Sequence, residues 1–596
     1  MRLPTLKQNN PKRQVIDEFR GYNHNLRIND NEFYDMKNLT STNYPTLSPR
    51  KKRGVWLEDD GIVGMISKDS LGYIADGEFH LNQYSTVGLG LSDKADVGKT
   101  ELVSMGAYVI IIARDQNGNI VDKKWVNTGS KDGEFLKHGD IDAKYESTAE
   151  TTITFEMSKV DGELYNNVVA QDTEPTATNG ALWIDKSSKP HVLKQYSETS
   201  KMWVTVLTTY IKISAVGIGI PFEQYDGVSI SGITDERLAD LNNTMVIWDK
   251  GDDYIVVIGI LDEVLTQTTP IKVERSMPLM DFVTESENRL WGCRYGLALN
   301  GEVVNEIYCS KLGDFKNWNC FMGTSTDSYA ASVGTDGQFT GAVTHLGYPI
   351  FFKEGYMHKI YGNFPSNYQI QTTACRGVQK GSHKSLAIVN ETLFYKSRTS
   401  VCSYDGSLPA ERSYALGDVA YSDAVACAHG NKYYISMKDQ ADEYHLFVLD
   451  AARGFWHKED NLQVDAFCSN RGELYFIEHG VGKIQTMFGS GKVDSRPIEW
   501  MAETGLIGTD SPDKKYVSRI NVRMSLAVGT RVSVYLQYDS NGAWERVLTM
   551  NGVSLRSFVM PIRPKRCDHL RMRIVGTGEA NIYSIAKTVE EGSDFR

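Results

Sequence analysis

Short apolar runs separated by polar or glycine-bearing breaks cover almost the whole chain, a rhythm that predicts strands and tight turns. The clearest sign of higher order is a weak internal period. Between residues 345 and 490 aromatic doublets recur at Phe351-Phe352, Phe394-Tyr395, Tyr433-Tyr434 and Tyr475-Phe476, about 41 residues apart. Each opens the same pattern of apolar strand, polar or glycine turn, and second apolar strand, as in PIFFKEGYMHKIYG, TLFYKSRTSVCSYDG and ELYFIEHGVGKIQTMFG. The turns are expected at 353–355, 396–399 and 478–480. A repeat of ~40–50 residues built from hairpins is the signature of four-stranded propeller blades.

Earlier segments fit the template with longer insertions. IVGMIS, LGYIAD and EFHLNQ predict a meander from Ile62 to Gln83, and the strand Tyr108 to Ile112 turns at Asp115-Gln116-Asn117-Gly118-Asn119, which holds the Asn-Gly hairpin signal. Asn288-Arg289-Leu290-Trp291 begins a strand whose partner is Glu306-Ile307-Tyr308-Cys309-Ser310. Between roughly 130 and 270 the period is lost. Ile153 to Met157, ALWID from Ala181, a long strand from Trp203 to Ile213, and GVSISGI, MVIWD and YIVVIGI predict an inserted β-domain, with a short helix at 235–241. Near the end, Ile520, Val522, Met524 and Leu526 alternate with polar residues; Val532, Val534, Leu536 and Leu570, Met572, Ile574 repeat that period of two. The expectation is an all-β chain: a propeller of six or seven blades, an inserted β-domain and a C-terminal β-sandwich. The expected divisions are an arm at 1–54, first blades at 55–129, the insertion at 130–270, remaining blades at 271–492 and the sandwich at 493–596.

Composition narrows the function more than the fold. The 596 residues are too many for one core. A net charge of −11 argues against a protein that grips DNA, though not against one that DNA slides past. The one basic run, Arg50-Lys51-Lys52-Arg53, reads as a solvated or subunit-contacting loop. No apolar stretch suffices for a membrane helix, and no secretory signal is visible at the start. The eight cysteines are scattered with no metal-type spacing, and read as reduced core residues. GxSxG, HExxH, Walker A and GxGxxG motifs are all missing. Lone histidines such as His358 and His445 read as satisfied strand residues. Asp115 to Asn119 has oxygen ligands at alternating positions but no closing Glu, so a hairpin explains it better than calcium. Ser310 to Trp318 is a poor likeness of a sialidase Asp-box, with Gly and Asp in the wrong order. Adjacent acids such as Asp59-Asp60 and Asp252-Asp253 would point to opposite sides of a strand and cannot alone form a glycosidase pair. No cofactor and no metal are expected, and the chain is expected not to be an enzyme.

The most distinctive stretch is at the N-terminus: Phe19-Arg20-Gly21-Tyr22-Asn23, then Asn31-Glu32-Phe33-Tyr34-Asp35-Met36-Lys37-Asn38-Leu39, then Tyr44-Pro45-Thr46-Leu47-Ser48-Pro49-Arg50, with Gly54 after the basic run. It resembles the opening of bacteriophage tail nozzle proteins, also called tail tubular protein B. Asn288 to Gly292 and Ser310 to Phe315, running on to Trp318, are similar to a blade of the same family. The resemblance covers 19–54 and 288–318 and extends more loosely through the blades to 490.

That resemblance implies a structural virion protein, made in the host cytoplasm and carried in the phage tail. It would form a ring, with six copies as the expected number, beside portal, adaptor or other tail proteins. The genome would pass without specific binding and the ring would hold it until ejection. The segment's Phe33, Asp35, Met36, Asn38, Leu39, Tyr44, Pro45 and Arg50 are the candidate assembly residues. They either close the propeller or grip a neighbouring subunit. The alternative is a host-receptor or glycan-binding tail protein, with Trp183, Trp203, Trp500 and Trp544 as sugar platforms. A third is a propeller glycosidase.

Overall fold

A computed structural model describes residues 12–25, 27–43, 46–58, 63–66, 71–82, 85–96, 98–129, 136–298, 301–509, 514–552, 554–562 and 565–591. Among the described residues strands make up nearly all of the regular structure, with four short 3₁₀ turns. Seven of the sheets are propeller blades, numbered here in chain order. Blade 1 holds Val63–Ile66, Gly72–Ala75, Glu78–Leu81 and Ser85–Gly88; blade 2 runs from Glu101–Met105 to Lys137–Asp140. Blades 3 to 6 begin at Phe282–Ser286, Phe339–His345, Ala387–Val389 and Ser422–His429. Blade 7 takes Val464–Asn470, Glu473–Glu478 and Ile484–Thr486, and its fourth strand is Gly54–Leu57 from the other end of the chain. The first segment of the expected early blades therefore belongs to the last blade, and it closes the ring.

The aromatic doublets explain why the blades stack. All four doublets lie on the second strand of their blade. Adjacent strand residues point to opposite faces, so each doublet packs against both neighbours at once. Phe351 joins the core between blades 3 and 4 with Trp291 and Cys293, while Phe352 joins Leu393 and Tyr395 between blades 4 and 5. Phe394 stacks on Tyr433 between blades 5 and 6, ring centroids 5.4 Å apart. Tyr434 and Phe476 share the core between blades 6 and 7. Tyr475, Ile477, Tyr73 and Ala75 then join blade 7 to blade 1, with Trp56 of the closing strand between the two tyrosines. Ile74 and Ile111 link blades 1 and 2, and Ile110 and Leu290 link blades 2 and 3. The circle of cores is complete.

Turns repeat as well. The first and second strands of blades 3, 4, 5 and 7 meet at two residues that both have positive φ: Glu287-Asn288, Leu346-Gly347, Asn390-Glu391 and Arg471-Gly472. That is the turn type whose twist matches paired strands.

The insertion leaves after blade 2 and returns before blade 3. Its strands run from Ala143–Glu146 to Lys272–Arg275, so it occupies 141–280 rather than 130–270. Two sheets enclose a core that includes Phe155, Ile213, Val228, Ile255 and Val273. The helix expected at 235–241 is a 3₁₀ turn, Glu236–Leu241, capped by Asp235. The long strand expected from Trp203 to Ile213 is two strands in different sheets, Met202–Thr205 and Tyr210–Ser214. The chain leaves the first sheet at Leu207, which is 96% exposed, so the apolar run does not mark one buried element.

The C-terminal sandwich is built around Lys515–Leu526, Arg531–Tyr538, Leu570–Thr577 and Ala580–Glu591; burial alternates along Leu570–Thr577 and along most of Lys515–Leu526 and Arg531–Tyr538. It is completed by the N-terminal arm. Leu39–Asn43 and Thr46–Pro49 extend one sheet and Lys12–Ile16 pairs with Ala580–Glu591. In the other sheet Glu32–Lys37 pairs with Glu499–Thr504, while Gly21–Tyr22 bridges to Phe455–Lys458, the outer strand of blade 6. One ten-stranded sheet thus runs from the propeller axis through the arm into the sandwich.

Candidate assembly site

The arm residues singled out in the sequence converge on the junction between propeller and sandwich. Phe33, Met36 and Leu39 are buried there in one core with Phe19, Tyr22 and Leu47 of the arm, Phe447 and Trp456 of blade 6, and Trp500, Val534 and Ile574 of the sandwich. Gly21 is required by this packing: its φ is +83°, and a Cβ would lie 2.2 Å from the Trp456 carbonyl oxygen. Asp35 faces outward and meets Lys458 at 3.3 Å. Tyr44 and Pro45 lie outside the described residues.

Asn38 links three units. It adopts a left-handed conformation, φ +55°, that Asn tolerates better than most residues. Its backbone N–H donates to the Glu459 carbonyl after blade 6, at 2.7 Å, and its carbonyl accepts from the Arg50 N–H at 2.9 Å. Its side-chain amide donates to the Glu499 carbonyl of the sandwich at 2.9 Å and accepts from Arg50 Nε at 2.9 Å.

Beside it sits a buried ion cluster. Arg53 donates to Asp460 at 2.8 and 3.0 Å and to Glu459 at 3.1 Å, and Arg50 reaches Asp460 at 3.4 Å. Both guanidinium side chains are only 14% exposed. For the two arginines this corrects the reading of 50–53 as a solvated or subunit-contacting loop: the run is split, with Lys51 in solvent and Arg50 and Arg53 turned inward to two consecutive acids. Burial pushes the Glu459 carboxyl up against the pull of Arg53 and Arg50. For Asp460 burial also pushes upward, but the two arginines outweigh it and its net shift is down. Gly54 follows, where a Cβ would meet the Ser490 carbonyl oxygen at 2.3 Å, so only glycine lets the closing strand lie against blade 7. Glu459 and Asp460 carried no motif that could have announced them.

The second resembling segment is structural too. Arg289 donates to the carbonyls of Ser310, Ser325 and Asp327, and Gly313 N–H donates to the Asn288 carbonyl at 2.9 Å, so the two halves of the motif bind each other. Asn317 then joins blade 3 to the insertion: its amide donates to Asp226 at 2.9 Å and accepts from the Gly227 N–H at 2.8 Å. Asp226 in turn holds Arg275.

Titratable side chains also meet at the propeller axis. There a cavity of about 270 Å³ is lined by Glu101, Phe282, His383, Lys384, Val425 and Phe467, among others. Lys384 spans the axis, donating to the Gly98 carbonyl near blade 2 and, at 2.9 Å, to the Asp465 carbonyl of blade 7. Burial raises the Glu101 carboxyl against the pull of Arg114, whose Nε lies 3.6 Å away.

The weaker leads resolve as turns. Asp115 accepts from the N–H groups of Asn117 and Asn119 at 2.9 and 2.8 Å. Asp439 does the same for Ala441 and Glu443, and it also bonds His445, which brings Asp439, Glu443 and His445 together within a hairpin. Asp253 accepts from the Gly217 N–H, and Asp59-Asp60 lies outside the described residues. His358 is held between Thr335 and Thr372. Of the four tryptophans, Trp183 and Trp500 are buried, Trp203 is half-buried with its Nε1 on Glu174, and Trp544 lies under Arg573.

No family model and no curated protein matches the chain. Among solved structures it is similar to Raptor of Chaetomium thermophilum, with 9% identity, 75% of this chain covered and a TM-score of 0.28; the match spans 30% of that protein. It is also similar to a glycoside hydrolase family 43 arabinoxylan arabinofuranohydrolase from Bacillus subtilis (9% identity, 51% and 94% covered, TM-score 0.16). A third is the Trypanosoma rangeli sialidase (9% identity, 82% and 90% covered, TM-score 0.18). Scores this low carry no inference about activity. They do correct one expectation: with glycosidases among the similar structures, the β-rich architecture is no ground for excluding catalysis, and the expectation that the chain is not an enzyme is withdrawn.

Proposed function

We propose that this chain is a structural protein of a bacteriophage tail, a ring-forming nozzle or neck component that extends the DNA channel. One observation carries the reading. The segment that resembles the nozzle family, 19–54, is the segment whose side chains fuse propeller and sandwich into one core and whose last residue begins the closing strand. A subunit that lines a pressurised channel must not flex between its domains, and a continuous core with a shared sheet provides that stiffness. The channel would lie between copies. The propeller's own axis is bridged by Lys384 and encloses about 270 Å³, too little for a duplex whose major groove alone is about 12 Å wide. A net charge of −11 suits a wall that phosphates pass without sticking. Portal or adaptor proteins of the same particle would be the neighbours.

The test is to purify particles of a phage or induced prophage that carries the gene. Mass spectrometry should find the chain in the particle, and a gold-labelled antibody against residues 141–280 should mark the tail. A chain abundant in the infected cell but missing from purified particles would overturn the reading.

A further inference from the structure

The insertion carries a small sheet whose two edges have no neighbouring strand among the described residues. Its order is Val168–Gln171, Leu182–Asp185, Val192–Ser197, Met202–Thr205. The first pair is parallel and the other two are antiparallel, so the two edge strands run in the same direction. Neither edge contains a charge: one reads Val-Val-Ala-Gln and the other Met-Trp-Val-Thr. Apolar side chains stand open along both, with Val169 42%, Met202 58% and Val204 47% exposed. Some outer strands elsewhere carry charge, as in Lys137–Asp140 of blade 2 and Glu545–Asn551 and Arg556–Val559 of the sandwich, while those of blades 1, 3 and 4 do not; each of those blades, however, offers one outer edge, whereas this sheet offers two. Free edges are usually protected by charges, Pro or bulges, and these two strands lack such protection.

An exposed apolar patch alone would not say what covers it, but an open edge does. Its unpaired N–H and C=O groups accept another strand. The two edges are each four residues long, parallel in sense and on opposite sides of one sheet. One copy therefore presents both halves of a pairing without using either edge twice. Met202–Thr205 is also fixed in place beforehand. The Trp203 ring lies edge-on to Trp183 and Tyr196, 5.5 Å from each, and its Nε1 donates to Glu174 at 2.9 Å. A strand held in position loses little freedom on pairing. Because every copy carries the same net negative charge, uncharged edges are also where two copies meet at least cost.

We propose that this sheet is the ring interface: Met202–Thr205 of one copy adds in parallel to Val168–Gln171 of the next, head to tail, so that the sheets join around the ring. The proposal rests on the ring-forming reading above and names the surface that forms the ring. Head-to-tail contacts of this kind close into rings when the rotation between copies permits.

The test uses the full chain and two variants, Val204→Lys and Val169→Lys, each placing one charge on one edge at an exposed position. Light scattering after size-exclusion chromatography should give closed rings for the wild type. Each variant should be monomeric, with association weakened at least about tenfold, and should keep the wild-type circular dichroism spectrum, which shows that it is folded. Mixing the two variants should yield dimers and nothing larger, because one undamaged pair of edges remains between them. Rings formed by either variant alone would overturn the sheet as the interface while leaving the tail assignment standing. A wild type that stays monomeric at every concentration, alone and with portal or adaptor protein, would overturn the interface and the ring-forming reading together.

Discussion

Arg53 shows how a residue that looks like a surface charge becomes structural. Its guanidinium neutralises two buried acids, Glu459 and Asp460, while its ring-facing side packs over Phe476. Removing one partner of a buried ionic group leaves the others uncompensated, which costs about 3–5 kcal/mol. Arg53→Ala should therefore lower the unfolding free energy obtained from urea denaturation by that amount, whereas Lys51→Ala, in solvent, should leave it unchanged. The sequence offered only a run of four basic residues. Which two turn inward depends on Glu459 and Asp460, some 400 residues away, and no local pattern reports that.

Histidines set the pH response at the same scale. Burial holds His358 down to about 4, and His383 and His457 down to about 3, so all three stay neutral in the folded chain at neutral pH. In the unfolded chain they take up protons near pH 6.5. The folded values lie below the unfolded ones, so this contribution is complete above pH 6.5 and is lost as the pH falls toward 4 and then 3. Stability should drop by roughly 1.4 kcal/mol per pH unit for each histidine in that window. Denaturation at pH 7, 6 and 5 checks this, and His358→Gln, which can still bond both threonines, should reduce the slope by one histidine's share.

Among the elements, what could be read in the sequence was what repeats. The doublet Phe351-Phe352 is visible because a blade's second strand must satisfy two neighbours, and that demand recurs in every blade. The turns after those strands were legible as well, since they carry Gly or polar runs. The inner hairpins at Glu287-Asn288 and Asn390-Glu391 were not, because left-handed positions filled by Glu and Asn leave no glycine to notice. The arm strands were hidden for another reason. Glu32–Lys37 pairs with Glu499–Thr504, and its apolar positions Phe33 and Met36 are three apart, which breaks the period of two; a register shift near Phe33 accounts for it. The arm's motif left open whether it closes its own propeller or grips a neighbouring subunit, and its described contacts are with the same chain. Phe33→Ala tests the element directly. Truncating so large a buried ring costs about 3–5 kcal/mol, and calorimetry should show the single main transition separating into two as sandwich and propeller lose their shared core.

Across the whole molecule, seven blades close because the chain returns to its beginning, and the sandwich is rigidly attached because the arm threads between the two. The all-β architecture was readable from the period and its loss between 130 and 270. The closure was not, since it joins residues at opposite ends of the sequence. The weld between propeller and sandwich is the claim on which the tail role depends, and amide hydrogen exchange on the full-length protein measures it most directly. Amides of 32–43 should be protected to the same degree as those of Phe455–Lys458 and Leu570–Thr577, and should open only with them. Rapid exchange across 32–43 while both flanking sheets stay protected would contradict a welded, single-bodied subunit.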